Sequence, residues 1–123
     1  MAKLILIVED DSFLQGLASR KFKADGMDVL TASSHTEAFK ILETQTPSII
    51  LLDLLLPEVD GFEILKTIRE NPKTKSVPII VFSNLSEDKD IKKAQELGVT
   101  EFMVKSNFTL DELAQKVKTV VGS

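Results

Sequence analysis

The run Ile49-Ile50-Leu51-Leu52-Asp53-Leu54-Leu55-Leu56, bounded by Pro47 and Pro57, constrains this chain more than any other stretch. A continuous aliphatic run between two prolines reads as a strand covered on both faces. A carboxylate inside such a run is costly unless a charged group meets it or the strand emerges at that point. In open parallel sheets, ligands gather just beyond the carboxyl ends of the strands, and Asp53 falls near that end. Taken alone, Asp53 reads equally well as a cap for a loop or for the next helix. The rest of the chain decides between the two.

Leu4 to Val8 is a second wholly apolar strand, and Glu9-Asp10-Asp11 follows it directly. In the next segment Phe13, Leu14, Leu17, Ala18 and Phe22 recur at helical spacing, with a capping box expected from Ser12 to Gln15 and Gly26 as the stop. Met27 to Thr31 is a shorter strand, interrupted by Asp28. Ser34-His35-Thr36-Glu37 opens a second helix that ends before Pro47, and His35, the only histidine, reads as a surface residue. Gly61 opens a third helix, with Phe62, Leu65 and Ile68 inward, which stops at Asn71-Pro72. Val77 to Phe82 is another apolar strand, and Ser83-Asn84 follows it. A helix from about Glu87 to Leu97 ends at Gly98, and Thr100 to Val104 is a last strand closing on Lys105. Thr109 and Glu112 form a capping box for a final helix, whose inward stripe is Leu110, Leu113, Ala114, Val117 and Val120.

Strands that alternate with helices in this way predict an α/β fold, a five-stranded parallel sheet with helices on both faces. Strands one, three and four are almost wholly aliphatic and belong in the middle, whereas Asp28 and Glu101 suit strands two and five to the edges. Right-handed crossovers then give the order 2-1-3-4-5, a flavodoxin-like (βα)5 arrangement. At 123 residues the chain is expected to form one domain, residues 1–123, with a core of its own. A hydrophobic share of 43% argues for a globular protein and against disorder, and the absence of cysteine excludes disulfides and thiolate chemistry. A net charge of −4 without a dense basic patch argues against direct nucleic-acid binding. Leu4–Val8 is too short for a signal peptide or a membrane span, so no membrane partner and a cytoplasmic location are expected.

In that topology the ends of strands one, three, four and five open on one edge of the sheet. They bring Glu9, Asp10, Asp53, Ser83 and Lys105 to one crevice. Clustered carboxylates repel unless a cation neutralises them, and an all-oxygen set suits a hard ion such as Mg²⁺. Each residue has a plain structural explanation by itself. Asp10 and Asp11 favour a helix N-terminus, Ser83 can cap helix four, and Lys105 can pair with any nearby acid. Those explanations do not account for their joint arrival at four strand ends.

On these residues the chain resembles the receiver domain of two-component response regulators, of the single-domain chemotaxis type. The resemblance rests on Glu9-Asp10 after strand one, Asp53 with Pro57 four residues on, Ser83 after strand four and Lys105 after strand five. It runs from Lys3 to about Val121 and includes Gly61. It implies a phosphoacceptor signalling switch of a phosphorelay, charged from a phosphohistidine on a sensor histidine kinase or histidine phosphotransfer protein, and acting on a further protein. Catalysis would be confined to its own phosphorylation and dephosphorylation, in a monomer or weak dimer.

Carried over residue by residue, the resemblance makes Asp53 the phosphorylated nucleophile. Asp10, Asp53 and the backbone carbonyl of Leu55 become Mg²⁺ ligands, with Glu9 acting through water. Lys105 neutralises the phosphoryl group, and Ser83 donates its hydroxyl to it. Phe102 takes the place of a switch aromatic beside Ser83, reporting through helix four, strand five and helix five. Leu55, Asn84 and Leu85 flank the phosphoryl group.

Three departures from the family pattern stand out. Asn84 is bulkier than the small residue found there in most relatives. Ser106 replaces the proline that normally follows the lysine through a cis bond, and a cis bond to a non-proline costs about 2.5–4 kcal/mol. Phe102 lacks a hydroxyl, so its switching would rest on packing. The alternative is a pseudo-receiver that binds partners without phosphate, against which the complete acid–Asp–Ser–Lys set speaks. A flavin or nucleotide binder would need an anion cradle after strand one, where acids stand instead. A haloacid-type phosphatase would need an acid where Leu55 stands.

Overall fold

The structure, a computed structural model, describes residues 2–56 and 60–122. Strands β1 (Leu4–Val8), β2 (Asp28–Ala32), β3 (Ile49–Leu52), β4 (Ile79–Ser83) and β5 (Glu101–Val104) pair in parallel in the order β2-β1-β3-β4-β5. Helices α1 (Ser12–Ala24), α2 (His35–Thr44), α3 (Gly61–Glu70), α4 (Asp88–Glu96) and α5 (Leu110–Val121) alternate with them, as the sequence predicts. Among the described residues no helix is long and apolar enough to cross a membrane.

The period of two along each strand divides the core. Ile5, Ile7, Ile49, Leu51, Ile80 and Phe82 face α1 and α5, where they meet Ala18, Phe22, Leu113, Ala114 and Val117. Leu6, Val8, Ile50, Leu52, Ile79 and Val81 face the other way, onto residues of α2, α3 and α4. The central strands are buried on both sides, which is why they read as unbroken aliphatic runs. At the edges, Asp28 is exposed and Glu101 half-exposed.

Several local expectations need correction. The β3 ladder ends at Leu52, short of the full aliphatic run; Leu54 and Leu56 stay buried as loop residues, while Leu55 turns outward and is 49% exposed. Pro57, which closes the run, lies outside the described residues. Helix α1 is capped by Asp11, whose Oδ1 accepts from the N–H groups of Phe13 and Leu14 at 3.0 and 3.1 Å, rather than by a Ser12–Gln15 box. Phe13 belongs to no buried stripe: it is 73% exposed, whereas Leu14 beside it packs against the core of β1, β3 and β4. His35 is half-buried rather than on the surface, edge-on to Phe39 at 6.1 Å.

Other signals appear as read. Ser34 caps α2 by accepting from Glu37 N at 3.2 Å, and both bonds of the Thr109–Glu112 capping box form, at 2.9 and 3.1 Å. Gly26 and Gly98 take positive φ just past the ends of α1 and α4. Gly61 is needed for another reason: a Cβ there would collide with the backbone of Leu54, so glycine lets the loop after β3 fold back against the start of α3. Arg69, which the sequence does not single out, ends α3 as a clasp. Its guanidinium donates to the carbonyls of Val77 at 2.7 Å, Gly98 at 2.8 Å and Lys75 at 3.0 Å, tying α3 to the loops before β4 and β5.

Candidate functional site

Parallel register brings the chemistry-bearing residues together. Val8 is level with Leu52, so Glu9 and Asp53 emerge side by side, and the Asp53 N–H donates to Val8 O at 3.0 Å. Leu52 is level with Val81 and Ser83 with Val104, so Ser83 and Lys105 follow on the next strands. Both Glu9, 5% exposed, and Asp53, 4% exposed, are carboxylates taken almost wholly out of water. Such groups need partners. Lys105 supplies them, its Nζ lying 2.7 Å from Glu9 Oε1 and 2.7 Å from Asp53 Oδ2. The remaining oxygens are also engaged. Asp53 Oδ1 accepts from Leu55 N at 2.9 Å, and Glu9 Oε2 from Asp11 N at 3.1 Å.

The electrostatics of the cluster are those of a site short of positive charge. Burial pushes the Glu9 carboxyl above its ordinary range, and the bonds from Lys105 and the Asp11 N–H offset only part of that rise. Burial by itself would lower the Lys105 ammonium, but its bonds to Asp53 and Glu9 outweigh this and hold it above its usual value. Asp10 is exposed and adds a third carboxylate. One oxygen each from Glu9, Asp10 and Asp53 lies within 4.8 Å of the others. Ionised, three carboxylates and one ammonium sum to −2, the charge that one divalent cation cancels. Two oxygens on opposite sides of a Mg²⁺ ion stand about 4.2 Å apart, so this donor set fits such an ion with small shifts or with one carboxylate acting through water.

The other sequence-predicted residues surround this cluster. Ser83 closes β4 and is wholly buried; it does not cap α4, whose N-cap Glu87 makes no side-chain capping bond. Its Oγ accepts from Leu85 N at a long 3.4 Å. Leu55 and Leu85 line the same open cleft as Asp10, between the loop after β3 and α4, and Asn84 is exposed beside them. Phe102, half-buried, packs against the core under α4, level with Val81. The Lys105–Ser106 bond is trans and leads into a short 3-10 turn, Lys105–Asn107.

Gln15 is the residue that sequence reasoning misses here. Its side-chain amide donates to Glu9 O at 2.9 Å, Ala32 O at 3.3 Å and Ser33 Oγ at 3.3 Å. The one available signal is position, a long polar side chain one turn beyond the Asp11 cap. Its partners lie at and just past the ends of β1 and β2, which local spacing cannot see.

The arrangement offers a desolvated carboxylate beside a fixed ammonium, next to acids that can hold a hard cation. Such an arrangement can bind and neutralise an oxyanion. Comparison with known proteins identifies the family. The family model described as "Response regulator receiver domain" matches residues 5–118. The alkaline phosphatase synthesis transcriptional regulatory protein PhoP of Bacillus subtilis (strain 168) is 35% identical over 121 residues, which are 98% of this chain and 49% of that protein. This chain spans about half the length of the curated relatives it matches. The signal receiver domain of a signal transduction histidine kinase from Syntrophus aciditrophicus superposes with a TM-score of 0.88 at 27% identity, covering 98% of this chain and 91% of that one. The Mn²⁺-bound form of response regulator Rcp1 gives 0.83 at 29% identity, over 95% and 92% of the two chains. The chain belongs to the response regulator receiver domain family.

Proposed function

We propose that this receiver domain is a phosphoacceptor switch that takes a phosphoryl group from a phosphohistidine onto Asp53. The donor is a sensor histidine kinase or a histidine phosphotransfer protein. A carboxylate oxygen of Asp53 attacks phosphorus, the new P–O bond of an acyl phosphate forms, and the P–N bond to the donor imidazole breaks. The imidazole departs with the electron pair and takes up a proton. Such a transfer depends on in-line placement and charge neutralisation more than on a base. Lys105 serves as a compact point charge for the phosphoryl oxygens, and Ser83, whose Oγ accepts a long bond from Leu85 N, donates a hydrogen bond from its hydroxyl to one of them.

Asp10, Asp53 and the Leu55 carbonyl would hold Mg²⁺, with Glu9 acting through water. When bound, the cation supplies charge stabilisation to the transferring oxygens. Rcp1, with Mn²⁺ bound, is a relative whose structure contains a divalent cation.

The output follows from Ser83. Drawing the loop after β4 toward Asp53 changes the space beside Phe102 and alters the face formed by α4, β5 and α5, where a downstream protein reads the state. Phe13, Leu55 and Phe108, each in a segment that follows a strand end on the Asp53 side of the sheet, are exposed and suit docking of the donor protein.

The observation that carries the proposal is the Asp53 carboxylate, 4% exposed and held by Lys105 at 2.7 Å beside two further acids. Beryllofluoride with Mg²⁺ is the direct probe, since it mimics an aspartyl phosphate. Amide shifts in the loops after β3, β4 and β5 are expected in the parent and absent in Asp53→Asn. Equal shifts in both proteins would remove Asp53 as the acceptor.

A further inference from the structure

We infer that Gln15 is a positioning residue for the acidic pair, its amide holding the peptide that carries Asp10 and thereby setting the affinity of the site for a divalent cation. The inference rests on the phosphoacceptor reading above and extends it to a residue outside the cluster itself.

The geometry begins where the sheet ends. The β1–β2 ladder closes at Val8 and Ala32, and Glu9 N makes one more bond, to Ala32 O at 3.0 Å. Beyond that point no strand partner remains to orient the Glu9 carbonyl. Gln15 takes over, its Nε2 donating to that carbonyl at 2.9 Å while also reaching Ala32 O and Ser33 Oγ, both at 3.3 Å. The amide thus bridges the ends of β1 and β2.

The Glu9 carbonyl shares its rigid peptide plane with the Asp10 N–H, so fixing one fixes the other. Asp10 is exposed, and the direction of its side chain is set by the backbone that carries it. On the other side, Asp11 is secured twice, through its N–H to Glu9 Oε2 at 3.1 Å and through its carboxylate at the α1 cap. The Gln15 bond is therefore the clamp on the N-terminal side of Asp10.

The chemistry requires a neutral donor of this reach. Two of the acceptors are carbonyls, so a glutamate would face them without a proton to give and would add charge to an already acidic site. A methionine would match the length and leave the carbonyls without their donor. Groups that orient metal ligands from outside the coordination sphere commonly change metal affinity by about 10- to 100-fold when removed. A single clamp on an exposed ligand belongs at the lower end.

The test is cation affinity, measured by Mn²⁺ electron paramagnetic resonance and by Mg²⁺ calorimetry, with thermal unfolding recorded in parallel. The proteins are the parent, Gln15→Met and Gln15→Lys, all in high salt so that the charge added by lysine is screened. Gln15→Met is expected to bind about tenfold more weakly. Gln15→Lys, which restores a donor of similar reach, should stay within about threefold of the parent. A purely structural glutamine predicts a lower unfolding temperature in both variants with unchanged cation affinity, and that result overturns the inference. If Gln15→Lys binds as weakly as Gln15→Met, the donor is not what matters and the inference also fails. A parent that binds neither cation overturns the phosphoacceptor reading itself, and this inference with it.

Discussion

Leu55 and Leu85 line the open cleft that Asp10 also lines, and on the proposed function this is the side from which a water would come in line behind phosphorus. In-line positioning needs a hydrogen-bonding group, and neither leucine has one. The proposed switch is therefore expected to hold its phosphoryl group for long. Leu85→Gln and Leu55→Asn should each lose the phosphoryl group up to about tenfold faster than the parent, measured without a partner phosphatase. If both folded variants decay no faster, the leucines do not limit water. Glu9 gives a second prediction at this scale. Burial raises its carboxyl, so folded Glu9 binds its proton more tightly than unfolded Glu9 does. Its contribution to stability is full below the ordinary carboxylate range and is lost as pH rises through the raised folded value. In urea titrations without metal, the stability of the parent relative to Glu9→Gln should fall as pH rises from about 4 to 7. A difference that grows over that range would contradict the assignment.

Among the elements, the sheet was the most legible part. The aliphatic runs of β1, β3 and β4 record burial on both faces, and Asp28 and Glu101 mark the edges, so order and parallel pairing follow from residue type. The site was legible for the same reason, since parallel strands deliver Glu9, Asp53, Ser83 and Lys105 to one edge whatever the loops do. What local pattern could not show is where a supporting element stops. Phe13 repeats at helical spacing yet is exposed, and the β3 ladder ends well before the last buried leucine of its run. Gln15 and Arg69 stayed hidden because the carbonyls they serve belong to other elements. Coupling between β5 and α4 yields the prediction proper to this scale. Burial of an apolar ring is worth up to about 1.5–3 kcal/mol, enough to bias a two-state packing. Phe102→Ala should leave phosphorylation intact while flattening the phosphorylation-dependent amide shifts of α4 and β5. Shifts that persist unchanged would mean the ring does not couple the two.

For the molecule as a whole, the sheet separates two cores and gathers the buried carboxylates, Glu9 and Asp53, at one edge. Glu9, Asp53 and Ser83 are three of the four buried polar residues among those described, and the fourth, Thr74, is satisfied by Ile68 O at 2.7 Å. With its buried carboxylates at one edge, the fold can change charge there without disturbing the aliphatic layers beneath, which suits the proposed phosphoryl switch. Everything proposed for the switch depends on Asp53 being the residue modified. Intact-mass measurement after incubation with acetyl phosphate and Mg²⁺ tests it most directly: the parent should gain a single phosphoryl group and Asp53→Asn none, whereas an equal adduct on both proteins would contradict the assignment.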